Sequence, residues 1–190
     1  MARKHRSQEV RIIGGKWKGR KLRFRGDNSL RPTLGRTRET LFNWLRPEIR
    51  SNHCLDLFAG SGILGFEALS LGAAHCTFVD RHRDTCAALT STVNELGCSD
   101  QAEVHCTQAL SFLKHTKASF DLIFLDPPYA NIDLLTTTLS EVTERGLLSG
   151  RLYIETRESG ALCDHLALLG YKITRQSQAG ETTAYLCNSP

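Results

Sequence analysis

After residue 51 the sequence alternates strand-like and helix-like patterns, and this alternation limits the possible folds more than any other feature. FDLIFLD (120–126) is an almost continuous apolar run, which is typical of a strand buried on both faces of a parallel sheet. Strands that alternate with helices predict a mostly parallel sheet with helices on both sides. The predicted fold class is therefore α/β, with a doubly wound sheet.

The same pattern sets the bounds of the predicted elements. Strands are expected at 53–58, 75–80, 102–107, 120–126, 151–156, 171–176 and 182–187. Helices are expected at 63–72, 83–96, 109–114, 132–145 and 159–169, and another from Thr37 to Pro47. No apolar run approaches the roughly 20 residues of a membrane span, and no secretory signal is visible, so we expect a cytoplasmic protein without a membrane partner.

Charge divides the chain near residue 50. Residues 1–50 carry 15 Lys and Arg against 4 Asp and Glu, whereas residues 51–190 carry 9 against 16. We therefore expect a basic N-terminal extension (1–50) that binds a polyanion, followed by the α/β domain (51–190). Within the extension, RIIGGKWKGRKLRFRG (11–26) alternates cations with apolar residues, which disordered basic tails usually lack. It predicts a short basic β-hairpin or extended arm; the alternative is a solvated, charged tail.

A glycine loop follows the first predicted strand. Gly60, Gly62 and Gly65 fit the G-x-G-x-x-G pattern of a loop that lets a ligand lie against bare backbone. The next strand ends in Asp80, where an acid can accept hydrogen bonds from both hydroxyls of a ribose. This end of the sheet is predicted to bind an adenosine-containing cofactor; the alternative is a tight turn with a surface acid.

Asp56, just before the loop, bears on which cofactor binds. A dinucleotide places its pyrophosphate at the helix N-terminus, where a neighbouring carboxylate would oppose it. S-adenosylmethionine (SAM) presents an ammonium and a sulfonium, which Asp56 would favour. The sequence therefore favours SAM over NAD.

DPPY (126–129) follows the buried strand and forms a second candidate site. The prolines stiffen the backbone and remove N–H donors, which leaves carbonyl acceptors beside the Asp126 carboxylate. With the Tyr129 ring next to them, these groups suit a flat base whose amino group needs acceptors. The alternative is simply a rigid loop, but the position at the carboxyl end of a central strand is where such sheets bind ligands.

Several motifs carry a resemblance to a known family. They are RIIGGKWKGRKL (11–22), RPT (31–33), RETLFNWL (38–45), DLFAGSGILGFEALSLGA (56–73) and DPPY (126–129). With them the chain resembles the bacterial 16S ribosomal RNA guanine-N2 methyltransferase family, within the amino-methyltransferase superfamily. The resemblance covers nearly the whole chain.

The resemblance implies a Rossmann-like seven-stranded methyltransferase fold, with SAM as methyl donor and S-adenosylhomocysteine as product. It implies one guanine in a hairpin loop of the small ribosomal subunit as target, of the guanine-966 type. The cofactor-binding residues implied are Asp56, Phe58, Gly60, Gly62, Asp80, Arg81, Gln108 and Ala109. The catalytic residues implied are Asp126, Pro127 and Tyr129. Many methyltransferases have an acid where this chain has Gln108, whose carbonyl can accept the same bond from the adenine amino group.

The implied partner is 16S rRNA, naked or in a partly assembled 30S particle, bound by a monomer. The residues of the extension expected to bind RNA are Arg11, Lys16, Trp17, Lys18, Arg20, Lys21, Arg31, Arg36 and Arg38. For the last three, solvated surface charge is the alternative. Family members often have an acid at the position of Gly35, so a salt bridge from there is not expected.

The mechanism that this implies follows from a weak nucleophile, because the lone pair of guanine N2 is delocalised into the ring. Hydrogen bonds from its two hydrogens to the Asp126 carboxylate and the Pro127 carbonyl would favour a localised lone pair that attacks the SAM methyl in line. Positioning and electrostatics would supply most of the catalysis.

Other functions are less well supported by the residues. An adenine-N6 methyltransferase of DNA or RNA is the nearest alternative, because DPPY suits any flipped base with an amino group. An RNA-binding or assembly protein without turnover, and an NAD oxidoreductase, are more distant ones. His-Cys occurs three times, at His53, His75 and His105, but the third pair closes its strand while the others open theirs, so no metal site is expected.

Overall fold

The structure is a computed structural model that describes residues 7–25, 33–127 and 131–190. Two predicted site residues, Arg31 and Tyr129, lie outside the described residues. Within these ranges, no helix combines the length and the apolar character needed to cross a membrane.

The predicted alternation of strands and helices is confirmed. The strands within the described ranges are β1 (Ser7–Arg11), β2 (Lys21–Arg25), β3 (His53–Asp56), β4 (His75–Asp80), β5 (Ala102–Cys106), β6 (Phe120–Leu125), β7 (Leu148–Thr156), β8 (Lys172–Ala179) and β9 (Thr182–Asn188). The helices are α1 (Thr33–Leu45), α2 (Ile63–Ser70), α3 (Arg83–Leu96), α4 (Ala109–His115), α5 (Ile132–Glu144) and α6 (Ser159–Leu168), with a 3-10 turn at Gly15–Trp17.

Strand β7 begins earlier than predicted, at Leu148 rather than at Arg151. Ser149 and Gly150 have the composition of a turn, which is why the pattern placed the strand start after them. In the structure a Cβ on Gly150 would lie 2.4 Å from the carbonyl oxygen of Asp121. The glycine therefore serves the close approach of two strands, at a shift in the β6–β7 register.

The main sheet has the order β5-β4-β3-β6-β7-β9-β8 across its seven strands in the described ranges. Strands β3 to β7 run parallel, and β9 lies antiparallel between β7 and β8. The chain moves outward from β3 to β5 and then returns to β6 on the other side of β3. Open α/β sheets bind ligands at this reversal, beside the carboxyl ends of the strands.

Helices cover both faces of the sheet. Helices α1, α2 and α3 bury one apolar cluster against it, and α4, α5 and α6 bury the other. The first cluster also contains Ile12 and Leu22 from the N-terminal hairpin, both almost fully buried. The apolar core therefore extends continuously across residue 50.

Candidate functional site

The glycine loop connects β3 to α2 at the reversal of strand order. Gly62 has φ 72°, in the left-handed region, and a Cβ there would lie 2.5 Å from Leu89. A Cβ on Gly65 would lie 2.3 Å from the Phe78 ring. The loop therefore requires glycine for its backbone conformation at one position and for helix–strand packing at the other.

Asp80 lies at the carboxyl end of β4 and holds the loop from the side. One carboxylate oxygen accepts the Gly60 N–H at 3.1 Å, and the other accepts the His82 N–H at 2.8 Å. Each oxygen keeps a second lone pair, so the carboxylate can still accept from two ligand hydroxyls. Arg81 is exposed, and its Nε donates to the His82 ring at 3.0 Å.

The end of β5 lies beside Asp80, because the Thr107 N–H donates to the Asp80 carbonyl at 2.9 Å. Gln108 follows as the exposed residue that precedes α4, and Ala109 is the buried first residue of that helix. Phe58, half-buried, packs against the apolar cluster under α4. The structure thus brings the predicted cofactor residues to one edge of the sheet.

Asp56 ends β3 beneath the glycine loop and is only 3% exposed. Its carboxylate accepts the Gly65 N–H at 3.1 Å. Burial raises the pKa of Asp56 to about 7, and the charge of Asp80 adds to this, while the Gly65 hydrogen bond opposes it. An acid in this state binds a cation readily, because the cation offsets the cost of ionising it.

Asp126 follows β6 and lies two positions beyond Phe124, the residue that pairs with Asp56 of β3. Asp126 is an exposed residue, although many protein atoms lie near its carboxylate. Burial raises the pKa of Asp126 well above its usual range, and the charges of Glu155 and Asp56 add to the effect. Among the described residues, none donates a hydrogen bond to this carboxylate. Pro127 beside it is buried.

Glu155 on β7 is a third acid at this edge, and sequence reasoning missed it. It is half-buried, and the fully buried Tyr153 donates its hydroxyl to Glu155 Oε1 at 2.6 Å. Burial raises the pKa of Glu155, and the Tyr153 hydrogen bond opposes this. The available signal was an acid within the apolar strand RLYIET, which becomes informative only once β7 is known to lie beside β6.

The three acids therefore lie at the carboxyl ends of the neighbouring strands β3, β6 and β7, and we call this edge of the sheet the crevice. In the described part of the chain, no Lys or Arg forms an ion pair with Asp56, Asp126 or Glu155. The crevice favours a ligand that brings positive charge and hydrogen-bond donors, and it opposes a pyrophosphate.

The basic arm forms a hairpin, as predicted, in which β1 pairs antiparallel with β2; its first strand, Ser7–Arg11, lies earlier than the predicted segment 11–26. Several of its cations already have protein partners: Lys16 donates to the Gln101 side chain at 2.8 Å, and Lys21 pairs with Glu9. Lys16 also lies 4.2 Å from the centre of the half-buried Trp17 ring. The exposed cations of the predicted set are Arg11, Lys16, Lys18, Arg20, Lys21 and Arg36.

Arg38 does not belong with these exposed cations, and the prediction that it contacts RNA is corrected. It is only 7% exposed, and its Nε lies 3.3 Å from the fully buried Glu67. Its Nη2 donates to the Arg11 carbonyl at 2.8 Å. The side chain is therefore buried where the arm meets α1 and α2, and its role is structural.

Helix α2 holds the arm through main-chain groups. Glu67 accepts the N–H of Ile13 at 2.7 Å and of Gly14 at 3.3 Å. Ser70 accepts the Trp17 N–H at 2.9 Å and donates to the Gly14 carbonyl at 2.6 Å. We call this contact, made by Glu67, Ser70 and Arg38, the arm junction.

The His-Cys pairs lie as predicted. His53 and His75 open β3 and β4 and are paired in register, whereas His105 lies at the closing end of β5. Residues 7–25, 33–127 and 131–190 contain no cluster of three or more potential metal ligands.

Comparison with known proteins identifies the family. The family profile "Conserved hypothetical protein 95" matches residues 10–188. The chain is 44% identical over 159 residues to the ribosomal RNA small subunit methyltransferase D of Haemophilus influenzae, covering 81% of this chain and 82% of that protein. It is 40% identical over 158 residues to the Escherichia coli K12 protein of the same name, covering 82% and 79%. The chain belongs to the ribosomal RNA small subunit methyltransferase D family.

Solved structures agree with this membership. The Escherichia coli protein yhhF superposes with a TM-score of 0.82 at 36% identity, over 96% of this chain and 98% of that one. The Thermus thermophilus 16S rRNA N2 G1207 methyltransferase, solved with AdoMet and guanosine, superposes with a TM-score of 0.74 at 19% identity, over 97% of this chain and 50% of that one. The latter similarity supports the fold alone, which is the predicted Rossmann-like methyltransferase fold. As a member of the methyltransferase D family, the chain is a methyltransferase.

Proposed function

We propose that this protein transfers the methyl group of SAM to N2 of a guanine in 16S rRNA, of the guanine-966 type, as a monomer acting on rRNA or a partly assembled 30S particle. The names of its relatives support a ribosomal RNA substrate. The observation that carries the chemistry is the crevice in which Asp56, Asp126 and Glu155 lie together without a described cation.

The residues present fit SAM better than a dinucleotide. SAM, when bound, supplies a methyl group activated by a sulfonium. In this proposal Asp56 attracts the ammonium, Phe58, Gly60 and Gly62 lie at the methionine end, and Asp80 accepts from the ribose. Arg81 lies beside the ribose, and Gln108 and Ala109 lie at the adenine. NAD fits poorly, because its pyrophosphate would meet acids at the loop.

Asp126 and Pro127 act on the base. The carboxylate and the Pro127 carbonyl accept the two N2 hydrogens, which keeps the nitrogen lone pair out of the ring and directed at the methyl group. The developing positive charge on N2 is stabilised by the nearby acids, and the proton leaves to a carboxylate after transfer. Tyr129 would stack on the base from its place after Pro128.

The exposed cations of the hairpin, together with Arg36, form the proposed phosphate-binding surface. Their side chains lie outside the apolar core, while the main chain of the arm is fixed to α2. A rigid arm loses little conformational freedom on binding, which favours affinity for a folded RNA.

The test is product analysis. The protein is incubated with methyl-labelled SAM and small-subunit particles that lack the modification, and the rRNA is digested to nucleosides. Label in N2-methylguanosine supports the proposal. Label in N6-methyladenosine would support the alternative function, an adenine-N6 methyltransferase that uses the same site. Absence of label despite SAM binding would indicate a binding protein or a missing assembly factor.

The Asp126→Asn variant extends the test to the mechanism. We expect turnover to fall about tenfold or more, because the amide lacks the negative charge that attracts the N2 hydrogen and accepts the proton, while the Kd for SAM stays within a few-fold. Asp133→Asn, at an exposed site on α5, is the matched control. Turnover at the wild-type level in Asp126→Asn would contradict the assignment.

A further inference from the structure

Glu155 lies beside the residue that is proposed to hold the target amino group. Leu125 of β6 pairs with Ile154 of β7, so the next position along both strands brings Asp126 next to Glu155. Solvent reaches both side chains. Burial raises the pKa of Asp126, and the charge of Glu155 adds to this, as expected for neighbouring carboxylates.

Tyr153 fixes how Glu155 presents its carboxylate. The Tyr153 side chain is fully buried, and its ring packs edge-on against Phe124 with centroids 6.2 Å apart. Its hydroxyl donates to Oε1 of Glu155 at 2.6 Å. Oε1 is therefore occupied, whereas Oε2 accepts no hydrogen bond from a described residue and is available to a ligand.

Two adjacent acceptors suit one purine edge better than the other. Guanine presents two donors side by side, the N1–H and the N2 amino group, whereas adenine presents an amino group beside the bare acceptor N1. A carboxylate facing adenine N1 would place two acceptors against each other, which leaves both without a donor.

We propose that Glu155 is a specificity-determining residue that accepts the N1–H of the target guanine through Oε2, while Asp126 accepts from N2. This inference rests on the proposed function and deepens it, because it gives a physical reason for guanine over adenine. The Glu155 carboxylate accepts from the ring nitrogen, and the Asp126 carboxylate accepts from the amino group.

The test replaces the target guanine by 2-aminopurine, which keeps the exocyclic amino group but has an acceptor at N1. Small-subunit particles are reconstituted on ligated 16S rRNA that carries either base at the position that the wild-type protein methylates. We expect kcat/KM to be lower for 2-aminopurine by about tenfold or more, since an unpaired buried acceptor costs this much.

The Glu155→Gln variant should reverse the preference. Because the Tyr153 hydroxyl donates to Oε1, the amide oxygen takes that place and Nε2 replaces Oε2. The amide then donates to N1 of 2-aminopurine and opposes the N1–H of guanine, so the kcat/KM ratio of the two bases should shift toward 2-aminopurine by about tenfold or more. A merely structural effect of the substitution would lower both rates alike.

Glu144→Gln, at an exposed site on α5, is the matched control and should keep the wild-type ratio. Equal kcat/KM for the two bases in the wild-type protein overturns the inference, whatever the variant does, and so does an unchanged ratio in Glu155→Gln. A wild-type protein that methylates no guanine in the unsubstituted particle instead contradicts the proposed function itself.

Discussion

The arm junction and the crevice both contain a buried carboxylate, but the two differ in what surrounds it. Glu67 is fully buried and faces the N–H groups of Ile13 and Gly14 and the Arg38 guanidinium. Asp56 is equally inaccessible but has one described donor, the Gly65 N–H.

Burial raises the pKa of both carboxyl groups, so the direction of the shift does not separate the two regions. The two regions differ instead in the hydrogen-bond donors that surround each carboxylate. Glu67 has partners from the protein on both oxygens, so its site is complete and structural. Asp56 lies among further acids, so under the proposed function a ligand that carries positive charge completes its site.

Replacing each acid by its amide tests this difference, and the Glu67→Gln variant has the larger expected effect. The NH₂ of the amide would face either the Gly14 N–H, in the place of Oε2, or the Ile13 N–H and the Arg38 guanidinium, in the place of Oε1, and all of these are donors themselves. We expect the free energy of unfolding to fall by about 3 kcal/mol in urea denaturation. The exposed Glu144→Gln is the control, and an unchanged stability would show that the junction does not depend on this acceptor.

The Asp56→Asn variant should instead increase the free energy of unfolding. The amide oxygen keeps the Gly65 hydrogen bond, and the amide carries no charge that burial would oppose. At pH 8 we expect the free energy of unfolding to rise by about 2 kcal/mol. The full difference between the folded and unfolded pKa of Asp56 would give roughly 4 kcal/mol. SAM should bind about tenfold or more weakly, because a charge that attracts its ammonium is lost.

The pH dependence of that gain follows from the raised pKa. The folded Asp56 titrates near 7 and the unfolded one near 3.8, so ionisation opposes folding increasingly as pH rises between these values. The advantage of Asp56→Asn over the wild type should therefore be complete above pH 7 and shrink as pH falls toward 4. An advantage that is constant between pH 5 and 8 would contradict the assignment.

The smallest effect on stability is expected at Lys18 of the hairpin, which is exposed, whereas Glu67 and Asp56 are buried. Lys18→Ala should leave the free energy of unfolding unchanged and weaken RNA binding a few-fold, equally for different RNA sequences. The slope of log affinity against log salt concentration should fall by about 1. Lys172→Ala, on the β8 edge, is the control; an equal loss there would argue against a phosphate surface on the arm.

The crevice was largely predictable from sequence because its acids follow strands. Asp80 and Asp126 close the predicted strands 75–80 and 120–126, and Asp56 lies near the end of the predicted strand 53–58, just before the glycine loop. Parallel strands bring their carboxyl ends to one edge. Glu155 was not predictable in this way, since it lies within a strand and gains meaning only from the neighbour that the topology gives it.

The arm junction was not predictable in its contacts. Arg38 and Glu67 lie in different helices, and each alone has the sequence context of a surface charge. Only the packing of α1, α2 and the hairpin onto one core makes them partners. The basic hairpin itself could be predicted, because its alternation of cations and apolar residues is local.

The main-chain attachment of the arm separates what holds the protein together from what it binds. The junction contacts the N–H groups of Ile13, Gly14 and Trp17 and the Gly14 carbonyl, all of which are independent of the cationic side chains between them. The exposed Lys18 of the hairpin can therefore be exchanged in evolution or by design without loosening this attachment. Under the proposed function, the RNA preference can then change through such surface substitutions while the crevice stays intact.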